Sequence, residues 1–206
     1  MKRWSLIVAA WLLAPVTQAA PIQAVDIYPQ DLLLQMLRDN THLKRVRADD
    51  CQLLQDIEAR AAVLKVPAYQ MLWADMLLYG VCTNKDVEQG WLYLNRAAEQ
   101  GLADAIEQIG RYHLQGKFVV TDEAYGLRML HTAASLGHQR ALLAVADYYG
   151  QGRGSALDYP AVYQWLHQAK FANDAERARA ERLKNQLALQ LPPSLREQTR
   201  RSVLMR

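Results

Sequence analysis

Residues 79–102 read YGVCTNKDVEQGWLYLNRAAEQGL, and two later stretches repeat their design: QGKFVVTDEAYGLRMLHTAASLGH at 115–138 and QGRGSALDYPAVYQWLHQAKFAND at 151–174. Overlaid at an offset of 36 without a gap, they match at Gly80/Gly116/Gly152, Asp86/Asp122/Asp158, Leu94/Leu130/Leu166 and Ala97/Ala133/Ala169. Looser sets share the register: Trp73/Ile109/Val145, Ala74/Gly110/Ala146 and Met76/Tyr112/Tyr148. A fixed period of this length marks an array of small supersecondary units that bury their apolar faces on one another.

Each unit reads as two helices. In the first, Ala68–Tyr79 forms an A helix with Pro67 at its first turn, where a missing N–H costs nothing. Gly80 breaks it, Asp86 caps a B helix over about 86–100, and Gly101 ends that helix. Asp86, Asp122 and Asp158 recur in every unit, as a cap must and a catalytic acid need not. The Ala97-Ala98 pair is small enough for the next A helix to approach closely, with Gly110 expected opposite it.

The flanks extend the array. Asp31–Asp39 suits a short helix, and 41–47, THLKRVR, reads as a basic connector. Residues 48–65 predict a longer helix with Asp49 and Gln52 as a capping box and Leu53, Leu54, Ile57, Ala61 and Leu64 on one face. It turns at Val66-Pro67 into the first A helix. Cys51 and Cys82 then flank that turn at similar distances, so an antiparallel pair places both at one open end of the hairpin. A disulfide Cys51–Cys82 is expected; two buried free thiols are the alternative. Residues 173–190 read as a helix covering the last repeat, and Pro192-Pro193 separates it from a second short helix. From Asp174 to Arg206 there are eight Arg or Lys against four acidic residues. That basic surplus reads as a solvated cap or as a docking surface for an acidic partner or membrane headgroups.

The chain opens with MKRWSLIVAAWLLAPVTQAA: Lys2 and Arg3, an apolar run, then small residues. This is the pattern of a secretory signal peptide, with cleavage expected after Ala19 or Ala20; an uncleaved anchor is the alternative. Export suits the even cysteine count. The sequence pI is about 8.9, but losing Lys2 and Arg3 brings the charge close to neutral, so nucleic acid is not an expected partner.

The sequence carries no common catalytic signature. G-x-S-x-G, S-x-x-K, H-E-x-x-H and C-x-x-C are absent from the sequence. Residues 110–117 fall one residue off a phosphate-binding loop, with Phe118 where Ser or Thr must hold magnesium. His131 and His167 occupy equivalent repeat positions and read as surface or interface residues. No catalytic residue, cofactor or metal ligand is expected.

The A-x-A, Y-x-x-G-x-G, D and W-x-x-x-A-A-x-x-G signatures over 67–172 resemble the Sel1-like repeat, a relative of the tetratricopeptide repeat. That implies an all-α fold: a short α-solenoid of helix pairs with N- and C-terminal capping helices. The expected organisation is a leader at 1–20, an N-terminal segment and capping helix at 21–66, repeats at 67–102, 103–138 and 139–174, and a basic helical segment at 175–206. Beyond the repeats, VRADDCQLLQDIEARA (46–61), PAYQMLWADMLLYGVC (67–82), DVEQGWLYLNRAAEQGL (86–102), EQIGRYH (107–113) and LDYPAVYQWL (157–166) resemble the MotX family of polar flagellar motor proteins. The resemblance implies a non-enzymatic periplasmic scaffold associated with the flagellar basal body. Its implied partners are a MotY-like protein, with which it forms a ring (the T ring), and the periplasmic region of the stator B subunit of PomA/PomB type. It also implies a ring-like oligomer in the motor, and maps the family's cysteine pair onto Cys51 and Cys82. The alternatives are a generic periplasmic Sel1-repeat adaptor for another envelope protein and, further off, a hydrolase on the same frame.

Overall fold

A computed structural model describes residues 28–204, so the leader expected at 1–20 lies outside the described residues. The described residues form helices joined by short turns: α1 Gln30–Arg38, α2 His42–Ala48, α3 Leu54–Ala62, α4 Pro67–Tyr79, α5 Val87–Glu99, α6 Ala103–Gln115, α7 Glu123–Ser135, α8 Gln139–Gly150, α9 Tyr159–Gln168, α10 Asp174–Leu189 and α11 Pro193–Leu204. The fold is all-α. The A helices are α4, α6 and α8; the B helices are α5, α7 and α9. Each helix packs on the next from α3 to α9, as in a solenoid of helix pairs.

The first A helix is the centre of the molecule. Every residue of α4 from Ala68 to Leu78 is buried, because α1, α2, α3 and α5 all pack against it. A helix surrounded in this way needs no polar face. B helices α5 and α7 keep one exposed side, and their starts follow the expected logic. Asp86 accepts the Gln89 N–H at 2.9 Å and Asp122 the Tyr125 N–H at 2.9 Å.

The third repeat departs from the pattern. Asp158 makes no side-chain cap; its carboxylate instead accepts the Tyr149 hydroxyl at 3.4 Å. In the first two loops the Asp N–H reaches back to the preceding A helix, at Leu77 O and His113 O, whereas that of Asp158 bonds Ser155 O inside its own loop. The third B helix therefore starts by a different route, at Tyr159-Pro160.

Each A–B loop carries two left-handed residues at matching places: Gly80 and Cys82 at φ 65° and 60°, Gly116 and Phe118 at 64° and 63°, Gly152 and Gly154 at 76° and 80°. Glycine adopts this conformation freely, and other residues adopt it at a cost. The second place tolerates a side chain only where that side chain gains contacts. Phe118 packs edge-on against Tyr79 and Tyr112, each 5.4 Å between ring centres. At Gly154 a Cβ would meet the Tyr149 ring at 2.6 Å, so the third loop admits none.

Small residues set the A–B crossings. A Cβ on Gly126 would stand 2.8 Å from Leu114 Cγ and 2.9 Å from Gly110 O. One on Gly90 would stand 2.8 Å from Leu78 Cγ and 3.0 Å from Ala74 O. Gly110 thus faces the B helix of its own repeat at Gly126, and not Ala97-Ala98 of the preceding one as the sequence suggested.

Two N-terminal expectations are corrected. Residues 41–47 are not a connector: α2 occupies them, because His42 and Val46, one turn apart, are both buried. The helix expected over 48–65 shrinks to α3. Asp50 and Cys51 turn left-handed at φ 51° and 59°, and Asp49 does not cap. Its carboxylate accepts the Tyr28 hydroxyl at 2.6 Å and the Arg45 Nε–H at 3.1 Å. The Tyr28 hydrogen bond, ahead of Arg45, holds the Asp49 carboxyl below its ordinary value.

At the other end α10 starts one period after α8 and packs on α8 and α9, where a further A helix would stand; α11 packs on α9. Ala180, Leu183 and Leu187 form the buried stripe of α10, and Asn173 caps it by accepting the Glu176 N–H at 2.8 Å.

Candidate functional site

Cys51, in the turn before α3, and Cys82, in the loop after α4, form a disulfide with their Cα atoms 5.5 Å apart. It bridges the open end of the α3–α4 hairpin. Both residues hold left-handed backbone, which carries each out of its helix and toward the other. The bridge takes both thiols out of reach of nucleophilic chemistry and makes the pair a staple between the N-terminal cap and the first repeat.

A second set of ties runs across the A-helix face, and the sequence reading did not find it. The buried Asp75 carboxylate on α4 receives His42 Nε2 of α2 at 2.7 Å and Gln108 Nε2 of α6 at 2.5 Å. Asp104 on α6, equally buried, receives Arg38 Nε of α1 at 3.3 Å and His138 Nε2 at 3.2 Å. His138 Nδ1 accepts the Ala141 N–H at 3.2 Å, so the proton facing Asp104 is on Nε2. Glu107 is gripped by both forks of Arg140 at 3.0 Å each and by Arg111 Nε at 3.3 Å. Arg140 also donates to the Arg38 carbonyl at 3.0 Å, 102 residues away in sequence.

These three carboxylates are only 1–2% exposed. Buried charge survives when it is paired and hydrogen-bonded. Their oxygens are engaged by structural partners, and the pairs join α1 and α2 to α4, α6 and α8. Periodicity cannot announce such ties: in the 36-residue register Asp75 aligns with Arg111 and Asp147, and Asp104 with Ala68 and Arg140.

Burial raises the Asp104 carboxyl, but the hydrogen bond from His138 and the charge and hydrogen bond of Arg38 outweigh it and hold the group below its ordinary value. The unfolded chain therefore takes up this proton first as pH falls. Asp104's contribution to stability is present above about pH 4 and lost as pH drops through the folded-state value. Asp104→Asn is expected to unfold at lower urea than the parent at pH 7, with the gap narrowing as urea melts are repeated below about pH 4. A gap that stays constant down to acid pH would mean the carboxylate charge is irrelevant.

On the loop edge Tyr79, Tyr112 and Phe118 cluster with Lys117. The Tyr79 and Tyr112 hydroxyls lie 2.7 Å apart, and the Lys117 ammonium sits 4.7–5.6 Å from the three ring centres. This is a cation–π contact that closes the seam between the first two repeats. His131 and His167 lie in the B helices, half-buried, the His131 ring tilted against Trp165 and the His167 ring edge-on to Tyr163. Among the described residues no three His, Cys, Asp or Glu side chains converge as metal ligands, and no helix is long and apolar enough to cross a membrane. The arrangement is that of a rigid, cross-linked frame that presents surfaces.

No family model matches the chain. It is 40% identical over 171 residues, 83% of its own length and 81% of the relative's, to the sodium-type polar flagellar protein MotX of Vibrio parahaemolyticus serotype O3:K6 (strain RIMD 2210633). In fold it is similar to a Sel1 repeat protein from Oxalobacter formigenes, with TM-score 0.52 and 22% identity over 63% of this chain and 97% of that one. It is also similar to a protective antigen of uropathogenic Escherichia coli displaying an SLR fold, with TM-score 0.52 and 21% identity over 68% of this chain and 33% of that one. These two likenesses concern the fold alone and agree with the helix-pair solenoid.

Proposed function

We propose that this chain, which belongs to the MotX family of polar flagellar proteins, is a non-enzymatic periplasmic scaffold of the polar flagellar motor. With a MotY-like protein it forms a ring on the basal body, and it helps recruit and anchor stators of the PomA/PomB type through the periplasmic region of the B subunit. The observation that carries this reading is the 40% identity maintained over 83% of the chain. The frame suits the task. A bracket that holds stators against reaction force needs stiffness, and a disulfide plus buried ion pairs between flanking helices and repeats supply it. The leader at 1–20 accounts for export, and the disulfide suits an oxidising compartment.

The test is a pull-down by the purified mature protein of a MotY-like protein and of the periplasmic region of a stator B subunit, alongside deletion of the gene. Both partners are expected to be retained and polar swimming lost. If neither partner binds and swimming survives, the motor reading is wrong, and an adaptor for another envelope protein takes its place.

A further inference from the structure

His42 ties the N-terminal cap to the first repeat, and its buried ring lies between two acceptors. Nε2 faces the Asp75 carboxylate at 2.7 Å, and Nδ1 faces the Met36 carbonyl at 3.4 Å. That carbonyl also accepts the Thr41 N–H at 2.9 Å. A carbonyl has no proton to give, so the Nδ1 contact needs an N–H on the ring. Nε2 faces an acceptor as well. The seated pair therefore calls for two protons, where a neutral imidazole beside a carboxylate holds one. The Gln108 amide donates to the other Asp75 oxygen at 2.5 Å, and its own oxygen accepts from Arg111 at 3.5 Å. The bond from Gln108 favours the carboxylate form of Asp75 and so keeps the shared proton on the ring.

The other buried histidine is arranged differently. His138 Nδ1 accepts the Ala141 N–H at 3.2 Å, and Nε2 donates to Asp104 at 3.2 Å. A neutral ring satisfies both contacts, and a second proton would break the first of them.

The surroundings leave Asp75 as the counter-charge of His42. On α4 it is the one charged side chain. On α1 Asp31 and Asp39 are exposed, and Arg38 turns to Asp104. On α2 itself Lys44, Arg45 and Arg47 are exposed. From α6, Gln108, Arg111 and Tyr112 join Asn40 and Tyr79 around a cavity of about 150 Å³ beside the ring. Arg111 is committed to Glu107 at 3.3 Å. The Tyr79 and Tyr112 hydroxyls bond each other at 2.7 Å, and burial pushes the Tyr112 phenol up.

We infer that His42 is a proton-controlled latch: its charged ring seats α2 on α4, and rising pH frees α2 by removing that charge. The sign follows from proton counting. Between about pH 4 and about pH 6.5, the ordinary carboxylate and imidazole values, seated and released forms carry the same protons and the tie is at full strength. Above about pH 6.5 the released imidazole gives up a proton that seating requires. Seating then weakens as pH rises, by at most about tenfold per pH unit for one proton. Cys51 follows α2 closely and stays bonded to Cys82, so release is a hinged opening with the cap still attached. The latch goes beyond the motor reading and does not depend on it.

Two measurements on the mature protein, with its disulfide intact, test the latch. Long-range proton–nitrogen spectra at pH 7.5, with the ring assigned from the His42 backbone signals, are expected to show protons on both His42 nitrogens and on one nitrogen of His138. A bare Nδ1 or Nε2 on His42 overturns the inference without any variant. Hydrogen exchange, read by mass spectrometry over 42–50 and corrected for the intrinsic rise with pH, is expected to show opening increase at least about tenfold from pH 6.5 to pH 8.5. Peptides from 103–135 should not follow it. His42→Gln keeps an amide donor for Asp75 but cannot titrate, and its corrected profile over 42–50 is expected to be flat. A flat profile in the parent, or the same rise in His42→Gln, overturns the latch. If deletion leaves swimming intact while the parent profile rises and the variant profile is flat, the motor reading falls and the latch stands.

Discussion

Cys82→Ser is expected to lower the free energy of unfolding by about 3–4 kcal/mol, the loop-closure value for a bridge whose ends lie 31 residues apart. The loss should appear as a lower urea midpoint in oxidised protein, and reduction of the parent with dithiothreitol should reproduce it. A finer comparison isolates the bridge from the backbone. Cys82 sits at φ 60°, where a non-glycine residue carries a cost of roughly 1–2 kcal/mol. Cys82→Gly removes the same bridge but relieves that strain, as Gly154 does in the third repeat. It should therefore fall short of the parent by less than Cys82→Ser does. In the cell, Cys82→Ser should reduce the amount of protein more than the activity of what survives. An unchanged midpoint for the serine variant would show that the staple contributes nothing to the folded state.

Asp75→Leu carries the next largest effect. The substitution keeps much of the volume but leaves His42 and Gln108 facing it with no acceptor, at positions that are 4% and 2% exposed. Removing one partner from a buried charged cluster costs about 3–5 kcal/mol. Asp75→Asn keeps an acceptor oxygen and should cost clearly less. Because His42 belongs to α2, the damage should be directional: α2 detaches from α4 before the repeats unfold. Limited trypsin digestion should then cut at Arg45 or Arg47 in Asp75→Leu while the parent resists. Equal stability of the leucine variant and the parent would show that the ties between cap and repeats are dispensable.

These two residues illustrate unequal legibility. The Cys51–Cys82 hairpin could be reasoned from the chain because its geometry is local: one turn at Val66-Pro67, with a cysteine at a similar distance along the chain on either side of it. Asp75 could not. It looks like one polar residue in an otherwise apolar helix, and its partners come from α2, 33 positions earlier, and α6, 33 positions later. Neither partner sits at a repeat-related position. The same gap explains the misreading of 41–53. Local chemistry offered Asp49 as a cap and a basic stretch as a connector. Burial of His42 and Val46 against α4 made the stretch a helix, and the competing hydrogen bond from Tyr28 drew Asp49 away from capping.

The sequence by itself determined the period, the helix-pair unit and the places where the chain must break. Glycines, caps and apolar faces act within one turn or one neighbouring helix, and each of the three repeats states them again. Tertiary structure decided how the flanks close the array. It folded α1 and α2 across the A helices and set α10 in the next A-helix place. It buried Asp75, Asp104 and Glu107 with partners far off in sequence. Those outcomes depend on which desolvated charges can find partners once the helices are packed, a condition that exists only in three dimensions.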